Sequence, residues 1–124
     1  MPRRVKTTTG KAGATSSSRR VLAAVSAVTS APTSTDQTAG TLLQQNEYVH
    51  VLFAVRGTSP VFRVRLYWFH EVSGRWHRGH QVVVSGDDAV LVEAQGAHRL
   101  ALAVEAVSGT TPELDAWLAL ARPV

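Results

Sequence analysis

From residue 47 onward apolar and polar residues alternate with period two, and turn-forming residues break the alternation at short, regular intervals. Such a chain puts successive side chains on opposite faces of an extended backbone, and a helix of 3.6-residue period cannot collect them on one face. In Tyr48 to Arg56, the residues Val49, Val51, Phe53 and Val55 share a face. In Val61 to Glu71 the inward set is Phe62, Val64, Leu66 and Trp68, opposite Arg63, Arg65, Tyr67 and Phe69. The outward set joins two cations to two aromatics, which suits a contact surface better than bare solvent.

The turns follow in order. Val72-Ser73-Gly74-Arg75 is a hairpin signal, because glycine supplies the positive φ of a tight reversal without steric cost. Trp76 to Val84 provides the next strand, Ser85 to Asp88 turns into Ala89 to Ala94, and Gln95 to His98 turns into Arg99 to Val107. In that strand Leu100, Leu102, Val104 and Ala106 face one way. Ser108-Gly109-Thr110-Thr111-Pro112 is expected to be a loop, with Leu114, Ala116, Leu118 and Leu120 marking the final strand. Residues 20 to 31 are rich in alanine, but Val21, Val25, Val28 and Thr29 are β-branched and no charge pairs support a lone helix, so a strand is favoured. Thr41 to Leu43 forms a short strand after a loop at 33 to 40.

Seven or eight short strands with no amphipathic helix bury their apolar faces most readily as two antiparallel sheets packed together. The expected fold is all-β, an antiparallel β-sandwich of jelly-roll type. With 124 residues and no cysteine, one domain is expected, stabilised by burial or association and not by disulfides. No apolar run reaches the length of a membrane span.

Charge divides the chain unevenly. Residues 1 to 35 carry Arg3, Arg4, Lys6, Lys11, Arg19 and Arg20 and no acid, a net +6, while the remainder sets seven arginines against nine acids, a net −2. The division predicts an extended basic Thr/Ser/Gly-rich arm over 1–19 and the folded domain over 20–124. Its six cations are the expected tethers to a larger partner. Ser18-Arg19-Arg20 followed by Val21 to Val28 also has the outline of a twin-arginine export signal, but the apolar run is short and interrupted by Ser26, so the arm is the preferred reading.

Val64-Arg65-Leu66-Tyr67-Trp68 through Gly74-Arg75-Trp76, then Gly96-Ala97-His98-Arg99-Leu100-Ala101-Leu102-Ala103-Val104 and Val107-Ser108-Gly109, resembles the small jelly-roll virion proteins of tailed bacteriophages. It is a resemblance of layout within residues 64–109: a strand with aromatics, a glycine turn, a tryptophan opening the next strand, and a late Gly-Ala-x-Arg-Leu strand. What it implies is a capsid decoration, or cement, protein in the virion, assembled in the host cytoplasm. Its partners would be the major capsid protein or other virion subunits, and its copies would associate, with a trimer expected. It transfers no catalytic residues. Within that reading Arg63, Arg65, Tyr67, Phe69 and Trp76 are the expected lateral contact face.

The search for chemistry is otherwise negative, and neither enzymatic activity nor a cofactor is expected. His70, His77 and His80 are the one cluster suggestive of a metal, but an odd separation in a strand points His77 and His80 to opposite faces, so no metal site is expected. Asp87-Asp88 sits in a turn, where acids bond the local backbone. No nucleophile elbow, His-Glu-x-x-His or phosphate-cradling glycine loop occurs. Two other classes fit less closely. Trp68, Trp76 and Trp117 would serve a secreted carbohydrate-binding module, with Trp76 the best surface candidate. The basic arm would serve non-specific nucleic-acid binding, although it lacks aromatics to stack bases.

Overall fold

The computed structural model describes residues 17–43 and 48–121. It is an all-β, antiparallel sheet of six strands: β1 (Ser17–Val25), β2 (Thr41–Leu42), β3 (Tyr48–His70), β4 (Arg75–Val84), β5 (Asp88–Glu93) and β6 (Arg99–Ala121). The β-branched residues of the 20–31 segment do form strand as far as Val25, beyond which the ladder stops; Ala24 already has a positive φ of 50°.

Two strands of 23 residues dominate. The expected loop at 108–112 is not a loop, and residues 57–60, which lie between two expected strands, do not separate them: β3 and β6 run through both, paired with each other from Tyr48↔Ala121 to Phe69↔Arg99. The turn residues there bend the strands instead of ending them. Gly57 and Gly109 adopt φ of 121° and 112°, and Ser59 and Thr111, each before a proline, adopt 49° and 46°. The two bends face each other, with register shifts on both sides of Thr58↔Thr110.

Each half of the long pair carries its own flanking strands. Residues 48–53 pair with β5 while β1 pairs with the 114–120 part of β6. Residues 62–70 pair with β4 while β2 pairs with Arg99 and Leu100. The connection between β1 and β2 is pinned midway, where Thr29 N–H donates to the Val104 carbonyl (2.9 Å) and Val104 N–H donates to Thr29 Oγ1 (2.7 Å).

Period-two burial does the rest. Val49, Val51 and Phe53 of the first half, Phe62, Val64 and Leu66 of the second, and Leu100, Val104, Leu114, Ala116, Leu118 and Leu120 of β6 belong to one buried cluster. Burying a side chain of this size contributes roughly 1.5–3 kcal/mol. The expected inward sets at 49–55, 62–68 and 114–120 therefore hold, with Val55 and Trp68 at their ends only half-buried against the cluster. The set at 100–106 does not hold throughout: a register shift between Arg63 and Val64 places Glu105 out of step, and Ala106 is exposed.

Candidate functional site

The sequence places its contact surface on the face of β3 and β4 that points away from the core. Cross-strand register arranges that face in rows, because directly paired residues share a side. The rows are Val83–Arg63–Ala106, Gln81–Arg65–Ala103, Arg78–Tyr67–Ala101 and Trp76–Phe69–Arg99. Arg63, Arg65, Tyr67 and Phe69 thus share a face, as the alternation predicts, but they are not equally accessible. Arg63 is exposed, Arg65 and Tyr67 are half-buried, and Phe69 is 3% exposed.

Glu105, the residue displaced by the register shift, organises the middle of this face. Its carboxylate accepts from Arg65 Nε (3.0 Å), Gln81 Nε2 (2.8 Å) and an Arg78 guanidinium nitrogen (3.3 Å), while Arg65 also donates to the Gly79 carbonyl (3.1 Å). Partial burial works against the charged carboxylate, yet the bonds from Gln81, Arg78 and Arg65 hold its pKa below the ordinary value. One acid thus fixes two arginines in place, and with exposed Arg63 the face remains cationic.

Phe69 and Trp76 must be removed from the contact set. They pair across β3 and β4 with ring centroids 5.5 Å apart, edge to face, and Trp76 is 8% exposed. The segment 34–40 covers them: Trp76 N–H donates to the Ser34 carbonyl (2.8 Å), its indole N–H donates to the Asp36 carbonyl (2.5 Å), and Gly40 lies against the far edge of its ring. Arg99 closes the strap by donating to the Ala39 carbonyl (3.4 Å). Period two identified the face correctly; the covering segment lies some 40 residues away in sequence and carries no alternation of its own.

The arm residues divide similarly. Arg3, Arg4, Lys6 and Lys11 lie outside the described residues. Arg19 and Arg20 belong to β1, so the boundary expected at residue 19 falls within a strand. Arg20 is engaged internally. Its guanidinium donates to Asp115 Oδ1 and lies 5.4 Å from the ring centre of Trp117, while Asp115 also accepts from Ala24 N–H (2.9 Å) and Arg56 (2.7 Å). Asp115 is 1% exposed, and the Ala24 amide together with Arg20 and Arg56 pulls its pKa down to about 2 against the effect of burial. This junction joins β1, β3 and β6 through one carboxylate, and nothing in local sequence marks residues 95 positions apart as partners.

The remaining candidates are quickly placed. His70 and His77 rings meet edge to face at 5.5 Å, and His77 Nε2 lies 2.7 Å from Ser73 Oγ in the hairpin turn. Among the described residues no group of three or more His, Asp or Glu could hold a metal ion. Asp87 and Asp88 each accept from a backbone amide, of Val55 and Ala89 respectively. A cavity of about 220 Å³ between β1 and β2 is lined by Val21, Pro32, Thr41, Leu100, Leu102 and Leu118 among others, with no titratable side chain. Comparison with protein-family models, curated proteins and solved structures finds no match.

Proposed function

We propose that the chain is a non-enzymatic virion structural protein, a capsid decoration (cement) protein with the arrangement of a jelly-roll sandwich. The strand order supports the arrangement. Two groups of four, β1·β6·β3·β5 and β2·β6·β3·β4, share the two bent strands, which is the interleaving of a jelly roll, and residues of both groups pack into one cluster. Jelly rolls serve capsids and lectins alike, so the function has to be argued from the surface.

The observation that carries the reading is the anchoring of the leader. The basic segment runs into β1, an outermost strand with one free edge among the described residues, and β1 is tied to the centre of the sheet through Arg20, Asp115 and Arg56. A leader so attached transmits its hold on a neighbour directly into the folded domain. Arg3, Arg4, Lys6 and Lys11 are the tethers, and Arg63, Arg65 and Tyr67 with Arg78 form the lateral contact face. Binding only the assembled lattice of the major capsid protein or other virion subunits, the protein stabilises that lattice by mass action. The carbohydrate reading loses its best platform, because the Trp76 ring is enclosed by residues 34–40.

Deleting residues 2–16, which leaves β1 intact, is expected to abolish co-sedimentation with capsid particles while the β-sheet circular dichroism spectrum is retained. Undiminished particle binding by the truncated chain would refute the tether.

A further inference from the structure

We propose that the free edges of β4 and β5 together form a two-fold interface with a second copy of this chain. Among the described residues each of these strands has only β3 as a strand partner, so each leaves one row of backbone donors and acceptors unladdered, met on β4 at its start, where Trp76 N–H donates to the Ser34 carbonyl, and the turn at 85–87 joins them. Open edges are templates for pairing with another chain. Charge decides which pairing is allowed.

β4 carries Arg75, Arg78, His77 and His80 and no acid; behind it on β3 stands exposed Arg63. β5 and its turn carry Asp87, Asp88 and Glu93 and no lysine or arginine. Two β4 edges brought together would set strands of like net positive charge side by side, and two antiparallel β5 edges would set Asp88 opposite Glu93, both unfavourable. β4 against the β5 of another copy pairs opposite charges. In a two-fold arrangement that contact occurs twice, since whatever β4 touches on the second copy must touch β4 of that copy in return. Each edge also carries a half-exposed aliphatic residue, Val83 (50%) on β4 and Leu91 (54%) on β5, so apolar surface is covered by the same contact.

This inference rests on the cationic face described above and names its partner as the chain itself. It gives a closed pair in place of the trimer expected from the sequence. Because it is measured on the isolated protein, its failure leaves particle binding by the leader standing.

Sedimentation velocity of the full chain at about 0.1 mM in low salt is expected to show a dimer that weakens as added salt screens the edges. A basic-edge variant, Arg63→Glu with Arg75→Glu, and an acidic-edge variant, Asp88→Lys with Glu93→Lys, should each be monomeric alone. All four positions are exposed, and circular dichroism checks that both variants fold. Mixed in equal amounts they should form a mixed dimer, because one of its two contacts is reversed in sign on both sides and the other is native. A monomeric wild-type chain, dimerisation of either variant as strong as that of the wild type, or a mixture that stays monomeric would overturn the proposal.

Discussion

Replacing either bend glycine by alanine tests whether the long strands turn as described. At Gly57 an added Cβ would lie 2.8 Å from the Thr111 carbonyl oxygen and 2.9 Å from the Pro112 Cα; at Gly109 it would lie 2.7 Å from the Ser59 carbonyl oxygen and 2.8 Å from the Pro60 Cα. These contacts are with backbone on the opposing strand, which cannot swing aside as a side chain can. A φ of 121° or 112° adds strain of about 1–3 kcal/mol, and the overpacking adds a similar amount, so each substitution is expected to cost about 2–6 kcal/mol. For a domain of this size each kcal/mol lowers Tm by about 4–8 °C. Urea denaturation with a shared m-value is the assay. Gly86→Ala is the internal control: its Cβ meets nothing within 4 Å and its φ is not positive, so a change within about 0.5 kcal/mol is expected. The bends are also reciprocal, each Cβ pressing on the other bend, so the double variant should lose less than the sum of the singles. Losses below about 1 kcal/mol at both positions would refute the reasoning.

Other consequences can be checked alongside. Asp115 has its pKa lowered to about 2, so the stability it contributes is full above the unfolded-state carboxylate pKa and is lost as pH falls through about 2. Asp115→Asn should therefore lower Tm at neutral pH and reduce the fall in Tm between pH 4 and pH 2; an unchanged acid limb would contradict the three-strand junction. Trp76→Phe keeps the edge-to-face ring but deletes the indole donor to Asp36, which should cost about 0.5–1.5 kcal/mol and speed amide exchange in residues 34–40. Unaltered exchange there would show that the strap does not depend on this bond.

Much of the fold was legible because period two is a local signal. The strands at 61–71, 76–84, 89–94 and 99–107 and their turns need only neighbouring residues to be read, and the inward residues of β3 follow from the same alternation. The continuity of β3 and β6 was hidden, since Gly-Thr-Ser-Pro and Gly-Thr-Thr-Pro look like chain reversals and become bends only when each has the other to lean on. Burial of Phe69 and Trp76 and the pairing of Arg20 with Asp115 depend on segments distant in sequence. Such contacts leave no periodic trace, so alternation alone counts Phe69 and Trp76 as outward, and the charge pattern alone leaves Arg19 outside the strand to which it belongs.

The pairing of β1 with the 114–120 part of β6 imposes an order on biosynthesis. β1 finds its ladder partner only after nearly a hundred further residues have emerged from the ribosome, and a ladder of such sequence separation closes slowly. A polypeptide halted before that partner appears has nowhere to dock its opening strand and no counter-ion for Arg20. Nascent fragments are thereby denied a fixed base for their cationic leader, which is supplied only once the 114–120 part of β6 has emerged.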